Sequence, residues 1–504
     1  MFIKKYWKEL LFFALYLVIL LYCKSSDITL MNSGNDCFSF LYGARFLEAL
    51  YPSPLYMLLG HIVANLPFGM DGGNLVLFLS VIPAWLSSIF VFMSLRKISD
   101  NKIAPWIGSS MLAGSYMYFS QAVIVEVYAL MSFLFALSFL FVTYKKYTLS
   151  NVAMGLAMCA HYVTCFLPFV AFLIWDKEFR KKWYWAVFVW MIITVPYYLL
   201  VSKFYWNGDV SFINSIYSTI STMTYQMSRG FSGLGHIFVI VMTFGLSLIP
   251  ILLFSRDIKK SGLFLIMLLF PSLYFFVGRA DYMFVQFVPF VPYYAIMAGL
   301  GISYIKTKHL DKLILSGSLL MMLSLPLVFD MNIVNGNISR TSNEVYKASD
   351  LMTSSLDVKS VNYFVTTARE TINELDEAED GSIIICVRLF NNQGYLSSDS
   401  LGGHVSTIVE YYNRLNNKHF IPFNPDLMSK DISLSSIKKM TDHGIKIPVA
   451  ASFERYDGES IWMSENRRMM NILSSISESN PDKHVYYYRI IDNEKESSEL
   501  IQIQ

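Results

Sequence analysis

The chain has 504 residues, of which 54% are apolar, 16% aromatic and 15% charged, against roughly 25% charged in an ordinary soluble domain. This composition excludes a purely soluble globular protein, and a formal net charge of +2 excludes a strongly basic nucleic-acid binder. Split in two, the charge changes meaning: residues 1–330 carry 23 Lys/Arg and 14 Asp/Glu (+9), and residues 331–504 carry 17 and 24 (−7).

The first element is an apolar run preceded by Lys4, Lys5 and Lys8. No small-x-small cleavage site follows it, and Tyr22 before Cys23 disfavours lipoprotein processing, so it reads as a retained membrane helix. A bilayer core about 30 Å thick needs about 20 apolar residues per spanning helix. Candidate spans are 6–23, 74–95, 104–120, 123–144, 183–201, 232–255, 261–278, 283–304 and 312–329. With the N-terminus cytoplasmic, 18 of the 23 Lys/Arg in residues 1–330 fall on that side, as the positive-inside rule requires. The other five, Lys24, Arg45, Lys203, Arg229 and Arg279, lie outside with the acidic tail.

Residues 147–175 have basic loops at both ends, which demands an even number of crossings, yet the segment is too short for two. Two half-helices, about 147–160 and 164–176, meeting near His161-Tyr162-Val163-Thr164, satisfy the charges when the bend is buried in protein. One full span with a different loop assignment elsewhere is the alternative.

A long outer loop, 24–73, holds Asp36, the apolar helical run 37–51, Pro52-Ser53-Pro54 and a second amphipathic stretch, 55–66. It is expected to lie along the membrane surface. Another outer loop, 202–231, is rich in Ser, Thr, Tyr and Met. Past residue 330, strand-length apolar runs at 383–389, 447–453 and 485–491 alternate with helix-like stretches at 359–378, 402–416 and 464–478. The expected fold is mainly α: a polytopic membrane helix bundle (1–330, about nine full spans plus two half-helices) followed by a small extracytoplasmic α/β domain (331–504).

Ionisable groups at membrane depth are costly and are functional candidates. The topology places Asp36, Glu126, His161, Arg279 and Asp281 at the outer ends of helices, where a compact bundle brings them to one outward-facing cavity. Asp36 reads either as a general base or as a cap of the helix that follows it. Glu126 either binds a sugar hydroxyl or supports Asp36, or it pairs with an Arg and locks helix packing. Arg279 either grips phosphate through paired hydrogen bonds or contacts Asp281 and snorkels. His161 is either a ligand contact or a packing residue.

No Gly-rich nucleotide loop or nucleophilic triad is present, which disfavours a nucleotide-driven pump. The five cysteines are scattered without CxxC spacing, which indicates neither a disulfide framework nor a zinc site. No cofactor is indicated. The acidic run 376–380 reads as a divalent-cation site or a solvated loop, and Asn337-Ile338-Ser339 is a lone glycosylation sequon.

Four stretches carry a resemblance. The run 32–68, with Pro54-Leu55-Tyr56-Met57-Leu58-Leu59-Gly60 and Leu66-Pro67-Phe68, is similar to the first outer loop of the transmembrane protein O-mannosyltransferase-like family, a branch of the GT-C superfamily. Ser120-Gln121-Ala122 through Glu126-Val127-Tyr128-Ala129-Leu130 resembles that family's Ser-Gln-Ala…Glu-Val-Tyr-Ala-Leu signature. His161 with Thr164 resembles its Asn-His-x-Thr turn, and 279–289 its Asp-Arg-Tyr-Phe-x-Pro region. Two departures stand out: the family's Asp-Ser-Gly-Glu becomes Asn32-Ser33-Gly34-Asn35-Asp36, and its His-Pro-Pro-Gly-Tyr is reduced to Tyr51-Pro52-Ser53.

The resemblance implies an inverting glycosyltransferase that moves a sugar, mannose in the family, from a polyprenyl-phosphate donor to a hydroxyl of a protein, glycan or lipid acceptor. It implies Asp36 as the catalytic base, with Glu126, His161, Arg279, Asp281 and Tyr56 on the substrates. The rivals are an oligosaccharyltransferase-like or lipid-modifying GT-C enzyme, and a flippase for lipid-linked sugars. High Lys, Ile and Ser usage leans toward a prokaryotic plasma membrane, with the endoplasmic reticulum as the alternative.

Overall fold

Helix α1 (Phe2–Cys23) buries Phe12, Tyr16, Ile19, Leu20 and Cys23 on one stripe and exposes Leu11, Leu15, Val18 and Tyr22 on another. Both stripes follow the 3.6-residue period and both are apolar, so the outward face needs lipid rather than water. The same holds for α12 (Tyr184–Tyr205), which exposes Phe188, Met191, Ile192, Val195 and Leu199, and for α15 (Leu310–Val328), which exposes Leu313, Leu320, Leu323 and Leu327.

The computed structural model describes residues 2–24, 36–47, 53–67, 71–205, 240–241, 243–257, 259–264, 288–307, 309–328, 375–376, 378–390, 401–423, 477–492 and 497–502. The chain divides into two units: Met1–Ile28, Gly43–Gly336 and Ser342–Lys359 make the first, and Thr29–Tyr42, Asn337–Thr341 and Ser360–Gln504 the second.

Among the described residues of the first unit, three stretches of helix are long and apolar enough to cross a membrane: Tyr6–Cys23, Gly73–Ile98 and Leu310–Leu327. The middle one is built from α4 (Asp71–Leu75), a π-helical turn (Val76–Val81) and α5 (Ile82–Ile98). The basic end of α5 meets the start of α1 and the residue that follows the 128–143 helix. Arg96 lies 3.9 Å from Glu9 and over the Tyr6 ring, while Lys97 lies over Tyr144.

Two expected spans differ in the structure. Span 104–120 breaks at Ser115, between α6 (Ala104–Gly114) and α7 (Tyr116–Ala122), because the Ser115 hydroxyl accepts the Tyr118 N–H and starts a new helix. Span 123–144 is helical only as α8 (Tyr128–Thr143). Its first residues, Val123-Ile124-Val125, are β-branched and give up χ1 freedom in a helix.

The break near His161 lies where the charges place it. Helices α9 (Tyr147–Ala160) and α10 (Tyr162–Trp175) have 14 residues each, about 21 Å at 1.5 Å per residue and short of a bilayer core. Both pack on neighbours, α9 on α8, α10 and α12.

The second unit contains a four-stranded sheet of order β2-β1-β3-β4. Strand β1 (Ile383–Phe390) pairs parallel with β2 (Ile421–Phe423) and β3 (Val485–Asp492), and β4 (Ser497–Gln502) is antiparallel to β3. Helix α16 (Leu401–Asn416) joins β1 to β2, and its Val409 and Tyr412 pack with Leu375, Ala378, Ile384 and Phe420. The stretches 359–374, 447–453 and 464–476 of the sequence reading lie outside the described residues.

In the acidic run, Asp376, Glu379 and Asp380 each have hydrogen-bond or ion-pair partners within the second unit. Asp376 accepts from the Tyr412 hydroxyl, Glu379 lies 2.7 Å from His484 Nε2, and Asp380 accepts the His419 N–H at 2.6 Å and its ring Nδ1 at 3.1 Å. The His419 backbone N–H, then its ring, hold the Asp380 carboxyl below the usual range. A depressed carboxyl contributes stability that is complete above its unfolded value, about 3.9. That contribution is lost as the pH falls through the lower folded value. Thermal unfolding of the full chain in detergent should therefore show the second unit weakening below about pH 4. Asp380→Asn should flatten that acid limb, and an unchanged limb would contradict the assignment.

Candidate functional site

Asp36 is the first residue of α2 (Asp36–Phe46), a short helix whose last turn is held by α3 (Pro54–Ala64). The last four carbonyls of a helix have no intrahelical donor. Here His61 Nδ1 donates to the Ala44 carbonyl at 2.9 Å, and Asn65 Nδ2 reaches the Arg45 carbonyl at 3.4 Å. In return the Arg45 guanidinium donates to the Ala64 carbonyl at the end of α3, at 2.9 Å. The two helices cap each other. Gly60 makes the approach feasible, since a Cβ there would sit 2.8 Å from the Ala44 Cβ. His61→Ala should cost about 1 kcal/mol and speed amide exchange in the last turn of α2; unchanged exchange there would remove His61 from this role.

Tyr56 lies in the first turn of α3 and is fully buried. Proline at position 54 starts that helix, where its missing N–H costs nothing. Helix α3 packs on α4, on the π-helical turn, on α9 and on α12. It thus joins the helix that ends at His161 to the turn Val76–Val81. From that turn the Ser80 hydroxyl donates to the Ile124 carbonyl at 2.6 Å, two residues before Glu126. Interruptions of this π type recur at functional sites.

Glu126 sits in the non-helical segment 123–127 and is 8% exposed. Its Oε2 accepts the Val127 N–H at 3.2 Å, which places the carboxylate at the start of α8, where the helix dipole favours negative charge. His161 ends α9 and begins α10 in extended conformation, its N–H bonded to the Ala157 carbonyl at 3.1 Å. Tyr56, the Glu126 segment and His161 thus belong to elements tied together within the first unit, by helix packing and the Ser80 bond. Asp36 falls in the portion of α2 assigned to the second. Arg279 and Asp281 lie outside the described residues.

Sequence reasoning missed the capping residues Arg45, His61 and Asn65 and the linking Ser80. The spacing of His61 and Asn65, four apart on one face of α3, is the available signal. Among the described residues, no three His, Cys, Asp or Glu side chains are grouped to share a metal ion.

These elements define a polytopic α-helical bundle with outward apolar stripes, a broken helix pair and an α/β unit. The structure is similar to that of ArnT from Cupriavidus metallidurans bound to undecaprenyl phosphate, with a TM-score of 0.52 and 12% identity over 87% of this chain and 95% of that one. The apo form of the same ArnT gives a TM-score of 0.48 at 11% identity, over 87% of this chain and 91% of that one. No protein-family model and no curated protein matches the chain. The likeness is one of fold: the chain shares the fold of this ArnT, and together with its apolar helices that fold marks an integral membrane protein.

Proposed function

We propose that this chain is a membrane glycosyltransferase that takes a sugar from a polyprenyl-phosphate carrier and transfers it, with inversion, to a hydroxyl on the extracytoplasmic side. The observation that carries the reading is the likeness to ArnT across 87% of the chain, a fold seen there with undecaprenyl phosphate bound. The motifs around Asp36, Glu126 and His161 support a placement near the O-mannosyltransferase-like branch, with mannose as the first sugar to test and a protein, glycan or lipid as acceptor.

In this reading the carrier enters from the bilayer. Asp36 takes the proton of the acceptor hydroxyl as its oxygen attacks the anomeric carbon. The bond from that carbon to the phosphate oxygen breaks, and polyprenyl phosphate leaves as an anion that needs no strong acid. Arg279 holds the phosphate as a bidentate partner, with Asp281 beside it, while Tyr56, Glu126 and His161 line the sugar and acceptor positions. The second unit recognises the acceptor on the outer face of a prokaryotic plasma membrane.

The test is transfer from a panel of labelled polyprenyl-phosphate sugars into membrane protein, glycan or lipid. Incorporation from at least one donor, above membranes lacking the chain, is expected. Absence of incorporation across the panel overturns the reading. Arg279→Ala should raise the donor KM about tenfold or more, and a normal donor titration would remove Arg279 from the site.

A further inference from the structure

The part of α2 assigned to the second unit, 36–42, has its own attachment within that unit. The Arg414 guanidinium carbon lies 5.2 Å from the centroid of the Tyr42 ring, within the range of a cation–π contact. Tyr42 is 2% exposed and stands six positions after Asp36 on the same helix.

The face of α16 that makes this contact is not its sheet-facing one. Val409 and Tyr412 point to the sheet core. Tyr411 and Arg414, three apart, occupy the opposite side at about 100° per residue. Tyr411 is nonetheless 1% exposed, so that side is covered at Tyr411, while Arg414 one turn on is exposed. The segment Thr29–Tyr42 belongs to the same unit as α16.

We infer that Arg414 is a positioning residue: through Tyr42, within one unit, it fixes the part of α2 that carries Asp36. This rests on the role proposed for Asp36. Arg414 itself touches no reacting atom.

The experiment pairs hydrogen exchange of residues 37–46 with transfer kinetics in the full-length protein. Arg414→Ala should speed exchange there about two- to fivefold and lower kcat by a similar factor with the donor KM unchanged. Arg414→Lys should restore part of both. Tyr42→Leu should reproduce the loss and Tyr42→Phe should not, which keeps the test valid even where Arg414→Ala disturbs its own unit. Unchanged exchange in both Arg414→Ala and Tyr42→Leu overturns the clamp, and faster exchange with unchanged kcat overturns its positioning role. Failure of the underlying reading looks different: Asp36→Asn would then retain full transfer, while the exchange data still decide the clamp.

Discussion

Asp36→Asn should reduce transfer by about a thousandfold, within the 10²–10⁴ range that a positioned general base contributes, while the donor KM stays near the wild-type value. The amide keeps the size of the carboxylate and removes its basicity, so the acceptor hydroxyl loses the group that takes its proton. Asp36 begins α2, where a carboxylate also favours the helix N-terminus. A purely capping role would cost about 1 kcal/mol of local stability and leave kcat within severalfold. Steady-state kinetics together with exchange across α2 separate the two: a large fall in kcat with unchanged exchange marks the base, and faster exchange with near-normal kcat marks the cap.

The second large effect is structural. A Cβ on Gly301 would lie 1.9 Å from the Pro250 carbonyl oxygen and 2.6 Å from its carbon, with Phe254 also close. This is a backbone contact between α14 (Val291–Gly301) and α13 (Leu248–Ser255), and no side-chain rotation relieves it. Gly301→Ala must push the two helices apart, at a cost of about 1–3 kcal/mol or more. Gly262 is the control, since nothing lies within 4 Å of a Cβ placed there. Thermal unfolding in detergent should show a clear drop for Gly301→Ala and no loss for Gly262→Ala. Equal melting of the two variants would contradict this packing.

Some of this arrangement was legible in the amino-acid sequence for identifiable physical reasons. The break at His161 was one of two readings of the basic loops, with Lys145 and Lys146 on one side and Lys177, Arg180, Lys181 and Lys182 on the other, and the helices do part there. Long apolar periodicity marked α1, α5, α12 and α15, and short, strand-length apolar runs marked β1 and β3. The segment 123–127 was misread because its apolar content matches a span, while its β-branched side chains and the Ser80 bond hold it out of helix. Strand β2 has 3 residues, too few for a period to register, and β4, Ser497–Gln502, is mostly polar with one face alternating weakly.

The candidate site was legible in its ionisable residues and invisible in its supports. Asp36, Glu126 and His161 stand out because charge and imidazole are rare in the bundle. Arg45, His61 and Asn65 act on backbone carbonyls 17–20 residues away, and a carbonyl leaves no mark in a sequence. The contact of Arg414 with Tyr42 joins positions far apart in the chain, which only the folded second unit brings together.

The most direct test of the central claim counts products. The purified full-length chain is reconstituted in vesicles with a labelled polyprenyl-phosphate sugar and an acceptor, and released polyprenyl phosphate is measured against sugar transferred. One polyprenyl phosphate released per sugar transferred, with inverted anomeric configuration, is the expected result. Movement of intact lipid-linked sugar across the vesicle without phosphate release would contradict it and identify a flippase instead.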